Sequence, residues 1–488
     1  MAMDITRRAF LGTAAASVGA AAAWGAAQGT ARPPNVVYII CDQMRADALG
    51  YLGNPNAHTP HLDRLAAQGV CCTRWFSNNP VCAPSRATAF TGMYPHEHGR
   101  TTNHDGAPPG RLEGTLCGHF AERGYRLGWV GKNHTYAEAA LRRLDYYRPR
   151  GREPFRDYPP QVPPWWHSSM YWPEDACHAS LNTRDAVEFL DAQEGGQPFF
   201  LHVSYFDPHP PYFAPAAAVE AFGQRDMRLP ETVPPERLSQ RLADYARAMA
   251  FGQMSDASLR QTMRHYHAAI AWGVDAQVGA LVEALEARGL LENTVLLFTS
   301  DHGDFMGDHH MVRKGMFHYD ALLHVPMIWY APGRIEGGRQ LGAEGSHVDL
   351  FPTLAELTGA GVPEGLSGRS YAGVLLGETP PDEARPVHAS ATYGDLPTGY
   401  FDDPERLDDP IREQPLHKAV MDLTMAGTRR TAMVRTRDWK FIRNETGGNE
   451  LYALSGGVLE RENVAGTPAH EAVQAALLRQ TEEFWPWP

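Results

Sequence analysis

The chain has 488 residues, 43% hydrophobic content and a formal net charge of -13, enough apolar material for a large core spread over two to four domains. No basic stripe offsets phosphates, which argues against a nucleic-acid partner. Any anionic substrate must instead be met by cations gathered locally.

The N-terminus reads Thr6-Arg7-Arg8-Ala9-Phe10-Leu11-Gly12, followed by an Ala-rich run to about Ala27. It resembles a twin-arginine export signal over residues 1–31, with small residues at 27–31 suited to cleavage. The run is shorter and less apolar than the ~20 residues a membrane span needs, so no stable membrane insertion is expected. The expectation is export by the twin-arginine translocase to the periplasm or beyond.

Residues 35–41 form a continuous β-branched and apolar run, the pattern of a strand buried on both faces of a parallel sheet. The run stops at Asp42-Gln43. Ligands collect beyond the carboxyl ends of strands in open α/β sheets, so these two side chains are placed to bind something, although a lone strand-end Asp is equally a helix cap. Arg45 and Asp47 read as a structural ion pair. Residues 59–69 carry a cap, an N1 proline and a terminal glycine, and read as a scaffold helix. A strand near 73–77 then leads to Val81-Cys82-Ala83-Pro84-Ser85-Arg86.

In that segment Pro84 and Ser85 suit a first helical turn, with Ser85 as a capping residue and Cys82 just before the turn. The helix dipole and Arg86 would lower a thiol pKa there, which makes Cys82 a candidate reactive residue; the alternative is a buried structural cysteine. All six cysteines lie in the first part of the chain without C-x-x-C spacing, and their pairing is open.

Residues 101–106 form a polar loop in which His104 either faces the substrate or caps a turn. A helix at 115–124 and a strand at 125–130 end at Gly131-Lys132-Asn133-His134, where alternation puts Lys132 and His134 on one side. Residues 146–175, with Trp165, Trp166 and Trp172, read as a long insertion at a pocket rim or a packing loop. A helix at 179–190 and a buried strand at 198–204 lead to Asp207-Pro208-His209. A linker is expected over 227–259, a long helix over 267–290, and a strand over 294–300 that ends at Asp301-His302-Gly303-Asp304. Gly303 permits close backbone approach. Lys314 lies in the next loop, Asp308, His309 and His310 are supporting neighbours, and a strand follows at 325–328. A helix at 347–357, a linker at 375–385, an apolar segment at 432–442 and a helix at 470–484 complete the chain.

Cys82-x-Pro84-Ser85-Arg86, followed by Thr88 and Gly92, resembles the sulfatase signature. Asp42-Gln43-x-Arg45-x-Asp47, Gly131-Lys132-x-His134 and Asp301-His302-Gly303-Asp304 are similar to that family's other site segments, and His209 and Lys314 match its catalytic imidazole and leaving-group lysine. His324 stands where relatives often carry an arginine. The resemblance implies an α/β fold of the alkaline phosphatase type. Its large, mixed, mostly parallel sheet is flanked by helices over residues 35–375, and a small antiparallel-sheet subdomain occupies 385–488.

The resemblance also implies that a formylglycine-generating enzyme oxidises Cys82 to formylglycine, and that Asp42, Gln43, Cys82, Asp301 and His302 bind one divalent metal. Calcium is favoured; the imidazole keeps manganese or zinc open. A hydroxyl of the hydrated aldehyde would attack sulfur in line, with Arg86 holding the diol and Lys132 and Lys314 stabilising charge. His209 with Lys314 would protonate the leaving alcohol, and His134 would assist the diol. The implied activity is hydrolysis of a small-molecule or saccharide sulfate ester. Hydrolysis of a phosphonate monoester or phosphodiester at the same site is the alternative, because Gln43 stands where many relatives carry a second Asp, and a noncatalytic anion-binding role is the third reading.

Overall fold

The computed structural model describes residues 32–103, 111–150, 177–193, 196–223, 225–234, 237–248, 252, 254–392, 430–454 and 460–487. The proposed export signal, His104 and the tryptophans at 165, 166 and 172 lie outside the described residues.

The apolar run at the start of the described chain is strand β1 (Asn35–Cys41), buried at every position. Residues apolar on both faces need neighbours on both edges and layers above and below, and β1 has them: it lies inside an eight-stranded sheet. The other members, in chain order, are β2 (Val70–Cys72), β4 (Arg126–Gly131), β5 (Tyr146–Pro149), β6 (Phe199–Ser204), β7 (Thr294–Ser300), β8 (Met327–Tyr330) and β9 (Arg339–Leu341), while β3 (Trp75–Phe76) pairs with β10 (Gly345–Ser346) outside it. The spatial order is β5-β4-β6-β1-β7-β8-β2-β9. The pairs from β5 to β7 are parallel, and β8 is antiparallel to both of its neighbours. One apolar cluster fills each face, with Val37 and Ile39 of β1 in one and Val36, Tyr38 and Ile40 in the other. This is the alternation of a strand read as two buried stripes.

A second, four-stranded antiparallel sheet is formed by β11 (Val387–Thr392), β12 (Arg430–Arg435), β13 (Trp439–Asn444) and β14 (Glu450–Ala453). The helix Glu471–Phe484 closes it through Leu477, which packs with Val434, Phe441 and Leu451. The two sheets meet at the loop before Cys82: Asn78 Nδ2 donates to His388 O at 2.7 Å and Asn79 Nδ2 to Ser390 O at 2.8 Å. They also meet at a buried ionic knot. Arg435 and Lys440 hold Asp320, Lys440 holds Glu460, and Arg435 and Arg74 share Glu344.

Three expectations need correction. Residues 227–259 are more ordered than a linker, since Gln240–Ala248 is helical and the next helix already starts at Asp256. That helix, Asp256–Ile270, passes through a π-helical turn, Ala271–Asp275, into Ala276–Ala287, so the long packing helix begins before residue 267. The whole run is long and apolar enough to cross a membrane, but most of its apolar stretch is buried inside the fold. Residues 146–149 belong to the sheet, as edge strand β5.

Candidate active site

The parallel register decides where the polar strand ends fall. Cys41 is level with Ser300, Ile40 with Ser204, and Ser204 with Gly131, so Asp42, Asp301 and Lys132 leave the sheet at one edge within a residue of each other. Gly131 makes the exit of β4 possible: its φ is +89°, and a Cβ there would lie 2.1 Å from Ser204 O. Gly303 lets the chain beyond β7 pass against Ala321, whose carbonyl oxygen would be 2.1 Å from a Cβ.

Cys82 comes from a different direction, at the first residue of the buried helix Cys82–Thr91. The sequence placed Cys82 before that turn with Ser85 as cap. In the structure Val81 is the N-cap and makes no side-chain capping bond. Ser85 has another partner: its hydroxyl donates to Asp301 O at 2.5 Å and lies 3.0 Å from His347 Nδ1, tying the cysteine helix to the end of β7.

One ligand atom each from Asp42, Cys82, Asp301 and His302 lie within 4.8 Å of one another, all buried. His302 Nδ1 is 2.9 Å from Gly303 O, so Nδ1 carries the proton donated to that carbonyl and the Nε2 lone pair faces the cluster. The Lys314 ammonium already occupies a place among these donors. Its Nζ lies 2.9 Å from Gln43 Oε1, 3.0 Å from Cys82 Sγ, 3.2 Å from His302 Nε2 and 3.9 Å from Asp42 Oδ1. Converging acceptors around one cationic centre fit a divalent ion held by oxygen and nitrogen, with Lys314 as the stand-in charge.

Arg86 spans the two carboxylates. Its Nε donates to Asp301 Oδ2 at 2.7 Å, one terminal nitrogen to Asp42 Oδ2 at 3.3 Å and the other to Ser204 Oγ at 2.7 Å, all without solvent exposure. Lys132 pairs with the same Asp42 oxygen. Burial pushes the Asp42 carboxyl up, but Lys132, His209, Lys314 and Arg86 together hold it well below the usual carboxylate range. Burial and Asp42 push the Cys82 thiol up, and Lys132, Lys314 and, when its ring is protonated, His302 outweigh them to leave it at about 7.

His209 donates from Nδ1 to Pro210 O at 2.6 Å and packs at a tilt against Phe206, itself under the Lys132 ammonium. His134 is half-buried two residues beyond Lys132. Asp207 serves the loop through its backbone, accepting from Asp42 N at 3.3 Å. Arg45 and Asp47 form the expected ion pair, and Arg45 also binds Asp308 at 2.9 Å. His324 is a packing residue: it stacks on Phe76 and reaches Thr73 O at 2.8 Å. Sequence reasoning gave no role to Tyr212, Tyr245 and Ser204, which touch Asp304, Lys314 and Arg86 respectively. No local pattern marks them, because each meets its partner only across the assembled fold.

The sulfatase family model matches residues 34–360. The chain belongs to the sulfatase family. It is therefore a sulfuric ester hydrolase by descent, and its relatives agree. This sulfatase is 29% identical over 385 residues to an arylsulfatase of Clostridium perfringens, a match covering 69% of this chain and 77% of that one. It is 27% identical over 461 residues to an ulvan-active sulfatase of Formosa agariphila, covering 91% of this chain and 79% of the relative. In fold it is similar to the phosphonate monoester hydrolase of Agrobacterium radiobacter, with a TM-score of 0.74 at 24% identity over 92% of this chain and 94% of that one. It is also similar in fold to a protein solved in complex with its substrate D-glucosamine-2-N,6-O-disulfate, with a TM-score of 0.72 at 22% identity over 93% of this chain and 97% of that one.

Proposed function

We propose that this sulfatase hydrolyses the sulfate monoester of a saccharide or other small molecule, using a nucleophile made from Cys82, after export to the periplasm or beyond. The convergence of Cys82 with Asp42, Asp301 and His302 beside three buried or half-buried cations carries the reading. A divalent cation held by Asp42, Gln43, Asp301 and His302, calcium first and manganese or zinc as alternatives, would lend Lewis-acid charge, and an aldehyde at position 82 would lend a hydrated nucleophile.

The chain's own residues do the rest. Arg86 keeps the two carboxylates at fixed spacing. Lys132 and Lys314 meet the sulfuryl oxygens as negative charge grows on them. As the bond between sulfur and the alcohol oxygen breaks, that oxygen takes a proton from His209, whose ring is anchored through Nδ1 and acts through Nε2. His134 serves proton transfer beside Lys132. Water supplies the oxygen retained by sulfate, so ester and water become alcohol and sulfate.

Relatives described as an ulvan-active sulfatase and an N-acetylglucosamine-6-O-sulfatase of Bacteroides thetaiotaomicron support a sulfated saccharide as substrate. Phosphonate monoester or phosphodiester hydrolysis is the second reading, supported by the neutral Gln43 at the site and by phosphonate monoester hydrolases among the structural neighbours. The deciding assay sets p-nitrophenyl sulfate and sulfated sugars beside phenyl phosphonate esters and diesters. Faster turnover of sulfates is expected, and preference for phosphonates would reverse the order. Cys82→Ala should lower kcat by about 10⁴-fold or more with the fold retained by circular dichroism. Appreciable turnover in that variant would remove the proposed nucleophile.

A further inference from the structure

The side chain of Gln43 has two ends that differ only in chemistry. Placed one way, its amide presents a lone pair to the cluster; turned over, it presents N–H groups and repels any cation there. The backbone at Gln43 is left-handed, with φ +72°, and is clamped: its N–H donates to Asp301 Oδ1 at 3.0 Å and its carbonyl accepts from the Tyr266 hydroxyl at 3.2 Å. The clamp fixes where the side chain starts. It does not fix which end faces in.

Asp304 does that. Gln43 Nε2 donates to Asp304 Oδ2 at 2.6 Å, and the Tyr212 hydroxyl donates to the same oxygen at 2.9 Å. The other oxygen, Oδ1, accepts from Met306 N at 2.8 Å and Arg313 N at 2.7 Å. All four bonds at this buried carboxyl group are received, so it acts purely as an acceptor. A reversed amide would set oxygen against oxygen at Asp304 and nitrogen against the Lys314 ammonium.

We propose that Asp304, braced by Tyr212, is a positioning pair that orients the Gln43 amide so that Oε1 serves as a neutral ligand oxygen toward the bound cation. This rests on the reading of the cluster as a metal centre. The negative charge that a second ligating carboxylate would bring to this position is moved one hydrogen bond back, where it polarises the amide without adding charge to the pocket. Tyr212 also lies three residues beyond His209, so the loop carrying the proposed proton donor takes part in setting this ligand.

The substitution Asp304→Asn tests the idea sharply. Met306 and Arg313 would still hold the Asn oxygen, turning its NH2 toward Gln43 and forcing the amide to flip. Calorimetric titration of Ca2+ into chelator-stripped, aldehyde-bearing protein should show affinity about 10–100-fold weaker than in the parent. Tyr212→Phe should lose less, because the acceptor remains. Gln43→Glu alone sets two carboxylates 2.6 Å apart and should also weaken binding. In the double variant Gln43→Glu/Asp304→Asn, a symmetric carboxylate meets the Asn NH2, and most of the affinity should return.

Parent-like Ca2+ affinity in Asp304→Asn would overturn the proposal, as would a double variant that binds no better than either single variant. If Asp304→Asn does not fold, the comparison of Gln43→Glu with the double variant decides alone, and the double must bind tighter. A parent protein that binds none of Ca2+, Mn2+ and Zn2+ would overturn the metal reading and the proposal together, which separates the two failures.

Discussion

Two buried ionic knots sit within this fold and behave differently because their charges are counted differently. At the junction of the two sheets, Asp320, Glu344 and Glu460 face Arg74, Arg435 and Lys440, three against three. At the strand ends, Asp42 and Asp301 face Arg86, Lys132 and Lys314, two against three. The balanced knot closes on itself and holds the subdomain in place. The unbalanced one retains a surplus of positive charge, together with lone pairs on Cys82, His302 and Gln43, and can therefore accept an anion and a cation side by side.

Removing Arg86 should have the largest effect, because it leaves two buried carboxylates without their shared partner. Arg86→Met is expected to cost about 3–5 kcal/mol in denaturant unfolding and to lose activity as well. A variant of parent stability would show that the pair tolerates separation. Lys440→Met breaks the balanced knot, and about 3–5 kcal/mol of stability should go while kcat per folded molecule stays at the parent value. Loss of kcat there would mean that the junction reaches the chemistry. Lys132→Met is the mirror case, with kcat down by about 10²–10³-fold and a smaller stability loss than Lys440→Met, since Arg86 still pairs with Asp42.

The smallest effect concerns protons. In unconverted, metal-stripped protein, thiolate absorbance measured as the difference from Cys82→Ser should rise through a pH of about 7, while Cys117, pushed up by burial to about 12, stays silent. The Cys82 pKa is depressed from the ordinary 9.0, so its ionisation stabilises the fold fully above that value and progressively less as pH falls through about 7. A thiol that titrates at or above its ordinary value would break the account of Lys132 and Lys314 outweighing burial.

Much of this site was legible because its residues stand one or two places beyond long apolar runs: Asp42 after β1, Lys132 after β4, Asp301 and His302 after β7. A strand that ends in a polar side chain advertises itself. Ser85 was misread as a cap because a small hydroxyl near Pro84 fits that role locally, and only the docked β7 shows its partner. Asp304 was seen but given no task, since its chemistry depends on Gln43, 261 residues away. The helix Gln240–Ala248 falls in the stretch expected as linker, yet its Tyr245 turns inward and donates its hydroxyl to Lys314 O at 2.7 Å, a contact visible only across the assembled fold.

The level register of Cys41 and Ser300 carries a further consequence, for biosynthesis. Asp42 leaves the ribosome early, but its counterpart at 301 emerges only after more than half the polypeptide has been made, and Lys314 later still. A nascent chain stopped short of β7 holds the cysteine and one carboxylate but no pocket. The centre thus cannot close until the chain has passed Lys314, and contacts of such long sequence separation slow the closure of the fold.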